Sequence, residues 1–312
     1  NQNFAIIWTD GRKAFGSVYG RIYSPSGIPQ GDDFRIDDTP DGFGSGYTRG
    51  IDSDSSGNFF VSWLDTRNSI WDIYARKVDS TGTPVGSSFL VDQTSFDFAG
   101  MGIYPDLAVL NNGSVVVVYC YYSGLGYYHV YARQFDNNGI PLTDEFQVDQ
   151  FALQAYNPDV VARPDGGYTV AYYTDNNAFA RHYDSSSNPL GNEFMILPDG
   201  KNGYMDICYN SEGRYLVAWL DETEIGPGTY EYYLKGSLYD SSDTLITTVT
   251  IATSLVAFPP FVNITSLDDN SFVVVMTAGV VEDRDVMCRI LDRNGNFLTD
   301  LFRMDHGPAG SQ

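Results

Sequence analysis

An all-β fold is what this sequence predicts, and three observations predict it. One turn recurs six times along 312 residues, at separations of 55, 57, 48, 56 and 52. Apolar residues between the turns alternate with period two, as strands require, and no segment sustains a 3.6-residue apolar period. About four short strand-like runs separate consecutive turns, and six four-stranded units of about 50 residues are the signature of a β-propeller. The expectation is therefore a six-bladed β-propeller of four-stranded antiparallel blades, the first blade lacking its innermost strand. A linear solenoid is the runner-up, but it gives no reason for long, varied loops on one side.

The turn reads YSPSGIPQGDDF at 23–34, VDSTGTPVGSSF at 78–89, FDNNGIPLTDEF at 135–146 and YDSSSNPLGNEF at 183–194. It recurs more loosely at 238–250 and 291–302. Taking the leading acid or serine as the anchor gives Ser24, Asp79, Asp136, Asp184, Asp240 and Asp292. Five residues after the anchor lie Pro29, Pro84, Pro141 and Pro189, and ten after it Phe34, Phe89, Phe146, Phe194 and Phe302. Three before it lie Arg21, Arg76, Arg133, Arg181 and Arg289. Repeat five breaks all three rules, with Ser237, Leu245 and Thr250.

Within a unit, PDVVA (158–162), YTVAYY (168–173), AFARHYD (178–184) and EFMIL (193–197) read as four strands. The turns between them offer Gly or Asn where a tight hairpin needs positive φ. The blades expected are 1–38, 47–92, 104–149, 157–198, 204–252 and 258–305. The first unit begins at FAIIWTD, equivalent to the second strand of the others. The missing strand points to a module excised from a longer parent chain or completed within a larger assembly.

Composition removes several function classes. The formal charge of −22, with only four lysines, repels nucleic acid and anionic membrane surfaces. The longest apolar run, Val115 to Tyr122, is far below the roughly 20 residues of a membrane span. Cys120, Cys208 and Cys288 have no C-x-x-C spacing, sit in apolar runs and read as buried free thiols. Excess acid and scarce lysine point to an extracellular or cell-surface setting.

The sequence resembles the propeller repeats of large secreted or surface-anchored bacterial proteins, in which W-x-D, Y-x-R and D-x-x-G-x-P-x-G-x-x-F units recur. That resemblance spans the whole chain. It implies the fold and a binding, adhesion or spacer role, without naming a ligand. The repeated arginines invite comparison with sialidase propellers, but the S-x-D-x-G-x-T-W turn of those enzymes is absent here. An arginine at one register in five blades cannot converge on a single ligand. Arg21, Arg76, Arg133, Arg181 and Arg289 are therefore expected to be structural, each bracing a blade–blade contact through an acid or a backbone carbonyl, with Arg76, Arg133 and Arg181 largely buried.

Chemistry is expected on the face opposite the uniform turns, where loops vary in length. Aromatic rings there would stack on sugar C–H faces and charged groups would fork to hydroxyls. The candidate ligand-binding residues are Asp65, Arg67, Trp71, Tyr122, Tyr127, Tyr128, Asp221 and Glu222. Asp10, Asp65 and Asp221 share a register after Trp8, Trp63 and Trp219, with Asp175 one place later. A ring of such carboxylates would bind Ca²⁺, the one cofactor the sequence brings forward. The competing expectation gives each a hydrogen-bond partner in its own blade. IDSDSSGN (51–58) imitates a calcium loop, but its register puts Asp52 and Asp54 in a strand and its hairpin. His129, His182 and His306 have no partner spacing, and neither G-x-S-x-G nor H-E-x-x-H occurs. The function expected is a non-catalytic extracellular recognition or spacer module for a glycan or a partner protein. The alternatives are a glycan-cleaving enzyme, hydrolase or lyase, with loop carboxylates, and a purely structural block of a larger surface assembly.

Overall fold

The computed structural model describes residues 3–12, 16–41, 43–46, 48–93, 105–122, 127–150, 154–174, 177–197, 205–226, 229–255, 262–280 and 283–304. All regular structure among them is β, in six antiparallel sheets that are the blades of a β-propeller. Blade one holds β1 (Phe4–Asp10), β2 (Ser17–Tyr23) and β3 (Phe34–Arg35). Blade two holds β4 (Ser45–Gly46), β5 (Ile51–Ser53), β6 (Phe59–Asp65), β7 (Asp72–Val78) and β8 (Pro84–Leu90). Blade three holds β9 (Asp106–Val109), β10 (Val115–Tyr122), β11 (Tyr128–Phe135) and β12 (Phe146–Gln147). Blade four holds β13 (Tyr156–Ala162), β14 (Tyr168–Tyr173), β15 (Ala178–Tyr183) and β16 (Phe194–Leu197). Blade five holds β17 (Met205–Tyr209), β18 (Tyr215–Gly226), β19 (Thr229–Tyr239) and β20 (Leu245–Leu255). Blade six holds β21 (Val262–Ser266), β22 (Phe272–Val280), β23 (Asp283–Leu291) and β24 (Phe302–Arg303). The first blade has three strands, as its sequence implies.

Blade two departs from the four-strand pattern, because β4 and β5 both pair with β6. Between them Gly50 presses on its surroundings: a Cβ there would lie 2.5 Å from Ser62 Oγ and 2.8 Å from the Leu107 nitrogen. Only glycine lets the strand come so close to the next blade.

The chain divides into two compact units. The first is Asn1–Ala162, Gly166–Thr174 and Phe179–Phe194; the second is Arg163–Asp165, Asp175–Ala178 and Met195–Gln312. In the first, each core forms between the facing sides of neighbouring sheets. Ile22, Ile36, Val61, Trp63 and Val78 join blades one and two, while Phe60, Ile73, Val115, Val117 and Tyr119 join blades two and three. In the second unit Leu216, Ala218, Ile251, Phe272, Val274 and Met276 do the same for blades five and six.

The recurring turn has a clear physical basis. Its anchor carboxylate gathers the turn's own N–H groups: Asp79 Oδ1 accepts from Thr81 and Thr83, and Asp136 Oδ1 from Asn138 and Ile140. These bonds hold both carboxyls below their usual range; at Asp79 the Thr81 hydroxyl contributes most, and at Asp136 the Ile140 N–H. The glycine three residues on takes φ of 90° at Gly82 and 79° at Gly139. Its bare Cα also receives the phenylalanine of the preceding blade. A Cβ on Gly82 would sit 2.5 Å from the Phe34 ring, and one on Gly139 2.4 Å from Phe89. The phenylalanine and the glycine of the repeat are thus the two halves of one interlock.

Candidate functional site

In four of the six repeats the arginine three residues before the anchor reaches two backbone carbonyls. Arg76 Nε donates to Gly86 O (2.9 Å) and Nη1 to Ile36 O of blade one (2.8 Å). Arg133 donates to Thr143 O (3.2 Å) and to Val91 O of blade two (2.9 Å). Arg181 reaches Gly191 O (3.2 Å) and Val148 O (3.0 Å), and Arg289 reaches Thr299 O (3.3 Å) and Ile251 O (2.6 Å). Among the described residues Arg21, in the first blade, meets only the carbonyl of its own blade, Gly31 O at 2.9 Å, with Asp33 at 3.6 Å. Arg133 is buried; the other four are half-buried, because their guanidinium edges lie along the open outer hairpin.

Repeat five has Ser237 at this position, and its hydroxyl pairs with Thr248 instead (2.9 Å). The equivalent carbonyl, that of Ile196, is met by the hydroxyl of Tyr239, two residues further along the same strand. Repeat five thus keeps the acceptor and changes the donor.

In the first three blades the residue after the carbonyl is an aspartate, a regularity that reading the sequence for chemistry missed. Ile36-Asp37, Val91-Asp92 and Val148-Asp149 recur at one register. The aspartates accept the backbone N–H of Val18 (2.8 Å), Ile73 (2.6 Å) and Val130 (2.7 Å), extending the ladder past the last strand. Asp92 is deeply buried, and burial pushes its carboxyl up to about 7, with Asp72 and Glu145 adding like charge. The first strands carry their own row of acids. Asp52 accepts from Val109 N (2.8 Å) and is pushed by burial to about 6. Asp106 accepts from Val160 N (2.9 Å); burial, then the adjacent Asp159 carboxyl hydrogen-bonded to it, holds it far above the ordinary carboxylate range.

The W-x-D carboxylates turn inward. Asp65 is fully buried: its Oδ1 accepts from Arg67 N (2.8 Å), and its Oδ2 from Trp63 Nε1 (3.0 Å), Thr39 Oγ1 (2.5 Å) and Arg67 Nη2 (2.7 Å). Arg67 lies 3.8 Å over the Tyr74 ring and also reaches Asp38 at 2.8 Å. Blade one repeats the arrangement: Asp10 takes Trp8 Nε1 (3.2 Å) and Arg12 N and Nε (both 2.7 Å), with Arg12 4.4 Å over Tyr19. In blade five Asp221 instead pairs with Lys235 at 2.5 Å, from the neighbouring strand. Asp10, Asp65 and Asp221 therefore each face a cation of their own blade, and Asp175 lies outside the described residues. Among the described residues no group of three or more His, Cys, Asp or Glu side chains is placed to hold a metal.

The aromatic candidates separate into packed and open rings. Trp71 and Tyr121 lean on the core between blades two and three, and Tyr121 meets Tyr131 edge-on at 5.9 Å. Tyr122 and Tyr127, at the loop end of the β10–β11 hairpin, are each 38% exposed. Tyr128 lies 5.0 Å from Tyr122 and is half-buried. Beneath them His129 Nδ1 meets Asp149 Oδ2 at 2.8 Å, and Gln147 joins the same oxygen at 3.0 Å. Blade five carries the longest hairpin, where β18 and β19 run on past Asp221 and Glu222, with Ile225 and Tyr230 exposed.

No protein-family model and no curated protein sequence matches the chain. Solved structures do match its fold. An ulvan lyase described as a new polysaccharide lyase family aligns over 81% of this chain and 69% of its own, at 9% identity and a TM-score of 0.54. An α-L-arabinanase of Penicillium chrysogenum, complexed with arabinobiose, aligns over 83% and 80%, at 12% identity and 0.54. The Dos1 propeller aligns over 97% and 71%, at 13% identity and 0.50. At these identities the likeness is one of fold.

Proposed function

We propose that this chain is a glycan-directed β-propeller acting outside the cell, and that a neutral polysaccharide is taken at the loop end of blade three. The observation that carries this reading is the open tyrosine pair Tyr122 and Tyr127, with Tyr128 beside it, at the loop end of the β10–β11 hairpin. Flat, half-exposed rings with a phenolic handle suit sugar faces edged by hydroxyls. The structural likeness to a polysaccharide lyase and an arabinanase supports a polysaccharide as the ligand. Charge narrows it: a net −22 opposes a sulfated or uronate polymer and leaves neutral pentose or hexose chains.

Cleavage by loop carboxylates is the second reading, and the likeness to glycan-cleaving propellers favours it over bare recognition. Hydrolysis requires two carboxyl groups roughly 5–10 Å apart across the scissile bond. Glu222 and Glu224, on the long hairpin of blade five, are the carboxylates this reading assigns. Affinity electrophoresis in arabinan and galactan, beside reducing-end release from both with and without added Ca²⁺, tests the readings together. Retardation that disappears in Tyr122→Ala/Tyr127→Ala supports recognition, and product release that Glu222→Gln abolishes supports the enzyme. No retardation and no release on neutral or anionic polysaccharides overturns the glycan assignment.

A further inference from the structure

The loop end of blade three holds a histidine that is fixed from one side. His129 on β11 stands directly opposite Tyr121 of β10, and Tyr127 lies two residues before it. Cross-strand partners and residues two apart on an extended chain share a face, so the three side chains leave the hairpin together. His129 Nδ1 lies 2.8 Å from Asp149 Oδ2, and that carboxylate is fully buried. Asp149 has little need of the imidazole for itself. Its Oδ1 accepts the Val130 N–H at 2.7 Å, and its Oδ2 accepts from Gln147 Nε2 at 3.0 Å. The matching Asp37 and Asp92 extend the ladder in blades one and two with Ser17 and Asp72 at the histidine's register. Blades five and six place Tyr233 and Asp285 there. The imidazole therefore belongs to the blade with the open tyrosines, and the carboxylate serves to orient it.

A carboxylate can only accept, so the shared proton sits on Nδ1 and the bond selects the Nδ1–H tautomer of the neutral ring. Nε2 is then a bare lone pair on the far side of the imidazole. Both polar neighbours of the ring, Asp149 and Gln147, stand at Nδ1; Nε2 meets no protein partner among the described residues, and the side chain is 21% exposed. We propose that His129 is the polar contact of the glycan platform, its Nε2 accepting the proton of a sugar hydroxyl while the Tyr127 ring lies against the same sugar's apolar face. Asp149 is the positioning residue behind it. The assignment rests on the glycan reading above and sharpens it. An acceptor fixed in this way requires a donor on the ligand, so the group it takes is a free hydroxyl. A ring already held in one orientation and one tautomer also gives up little freedom when that hydroxyl arrives.

Two measurements on the whole chain test the contact. Long-range ¹H–¹⁵N correlation spectra, with His129→Gln to assign the ring, report the tautomer without any ligand. The Nδ1–H form is expected, and the Nε2–H form overturns the proposal. Arabinan and galactan oligosaccharides are then titrated in, and the polymer that retards the chain in affinity electrophoresis should also move the Nε2 resonance. Asp149→Asn is the discriminating variant. Its side-chain oxygen still accepts the Val130 N–H, while its amide donates to Nδ1 and turns the ring to the Nε2–H form. Binding should weaken about tenfold with the circular dichroism spectrum unchanged. Undiminished binding by Asp149→Asn with the tautomer inverted overturns the contact and leaves the glycan reading standing. So does an Nε2 resonance that stays in place while electrophoresis shows binding. No binding of either polymer by the unaltered chain overturns the contact and the glycan reading together. If Asp149→Asn fails to fold, the Nε2 resonance of the unaltered chain still decides.

Discussion

Blades three and five meet the same requirement with different side chains. In blade three Arg133 spans from Thr143 O to Val91 O. In blade five the corresponding arginine is Ser237, and the carbonyl of Ile196, which matches that of Val91, takes its hydrogen bond from Tyr239. The W-x-D carboxylate follows suit: Arg67 serves Asp65 in blade two, and Lys235 serves Asp221 in blade five. What is constant is the acceptor to be satisfied; the donor is free to change. A buried carbonyl or carboxylate without a partner costs a few kcal/mol, so a lost donor is replaced nearby in space, not at the same place in sequence.

Four measurements sharpen or break that comparison. The largest effect is expected from Arg133→Ala, which strips a buried cation from two carbonyls; loss of charge-assisted bonds at about 1.5–3 kcal/mol each should lower Tm by several degrees. An unchanged melting curve would mean the clasp contributes nothing. Tyr239→Phe should cost less, about 1–2 kcal/mol, for one neutral bond. A loss as large as that of Arg133→Ala would overturn the ranking of donors.

Third is pH. Burial raises Asp92 to about 7 and Asp52 to about 6, above the roughly 3.9 of an unfolded aspartate. Their contribution is fully present below the unfolded value and is lost as pH rises through 6 to 7, so Tm should fall between pH 5 and pH 8. Asp92→Asn, which keeps an acceptor for the Ile73 N–H, should flatten that fall; a fall of undiminished slope would assign it to the general surplus of negative charge. The smallest effect on stability belongs to Tyr122→Ala/Tyr127→Ala, within about 0.5 kcal/mol by chemical denaturation, because these rings are open. A larger loss would make them packing residues and remove the proposed ligand platform.

The strands, the turn and the blade count could be read from the sequence because each is written in local spacing. The partners could not. Phe34 and Gly82 stand out as repeated letters, yet they interlock across 48 residues, and only the assembled blades bring them together. The Val-Asp and Ile-Asp pairs looked like ordinary strand ends, although the aspartate continues the ladder from its side chain. For the candidate site, the Asp register after each Trp was visible, and so was the arginine two residues later in TDGR and LDTR. The indole N–H and that guanidinium together turn the carboxylate into the blade, which makes Asp10 and Asp65 parts of a folded turn. The open rings of Tyr122 and Tyr127 could not be told from their packed neighbours, since exposure is decided by the sheet next door.

The arginine clasp grips peptide oxygens and ignores the side chain that bears them. Every residue type presents such an oxygen, so a newly copied blade would fit its neighbour at once, before any compensating substitution. The phenylalanine and glycine of the interlock both lie inside the copied unit and arrive together. A gene encoding this chain could therefore lengthen or shorten by whole blades through unequal recombination, with each junction inheriting its fastening intact.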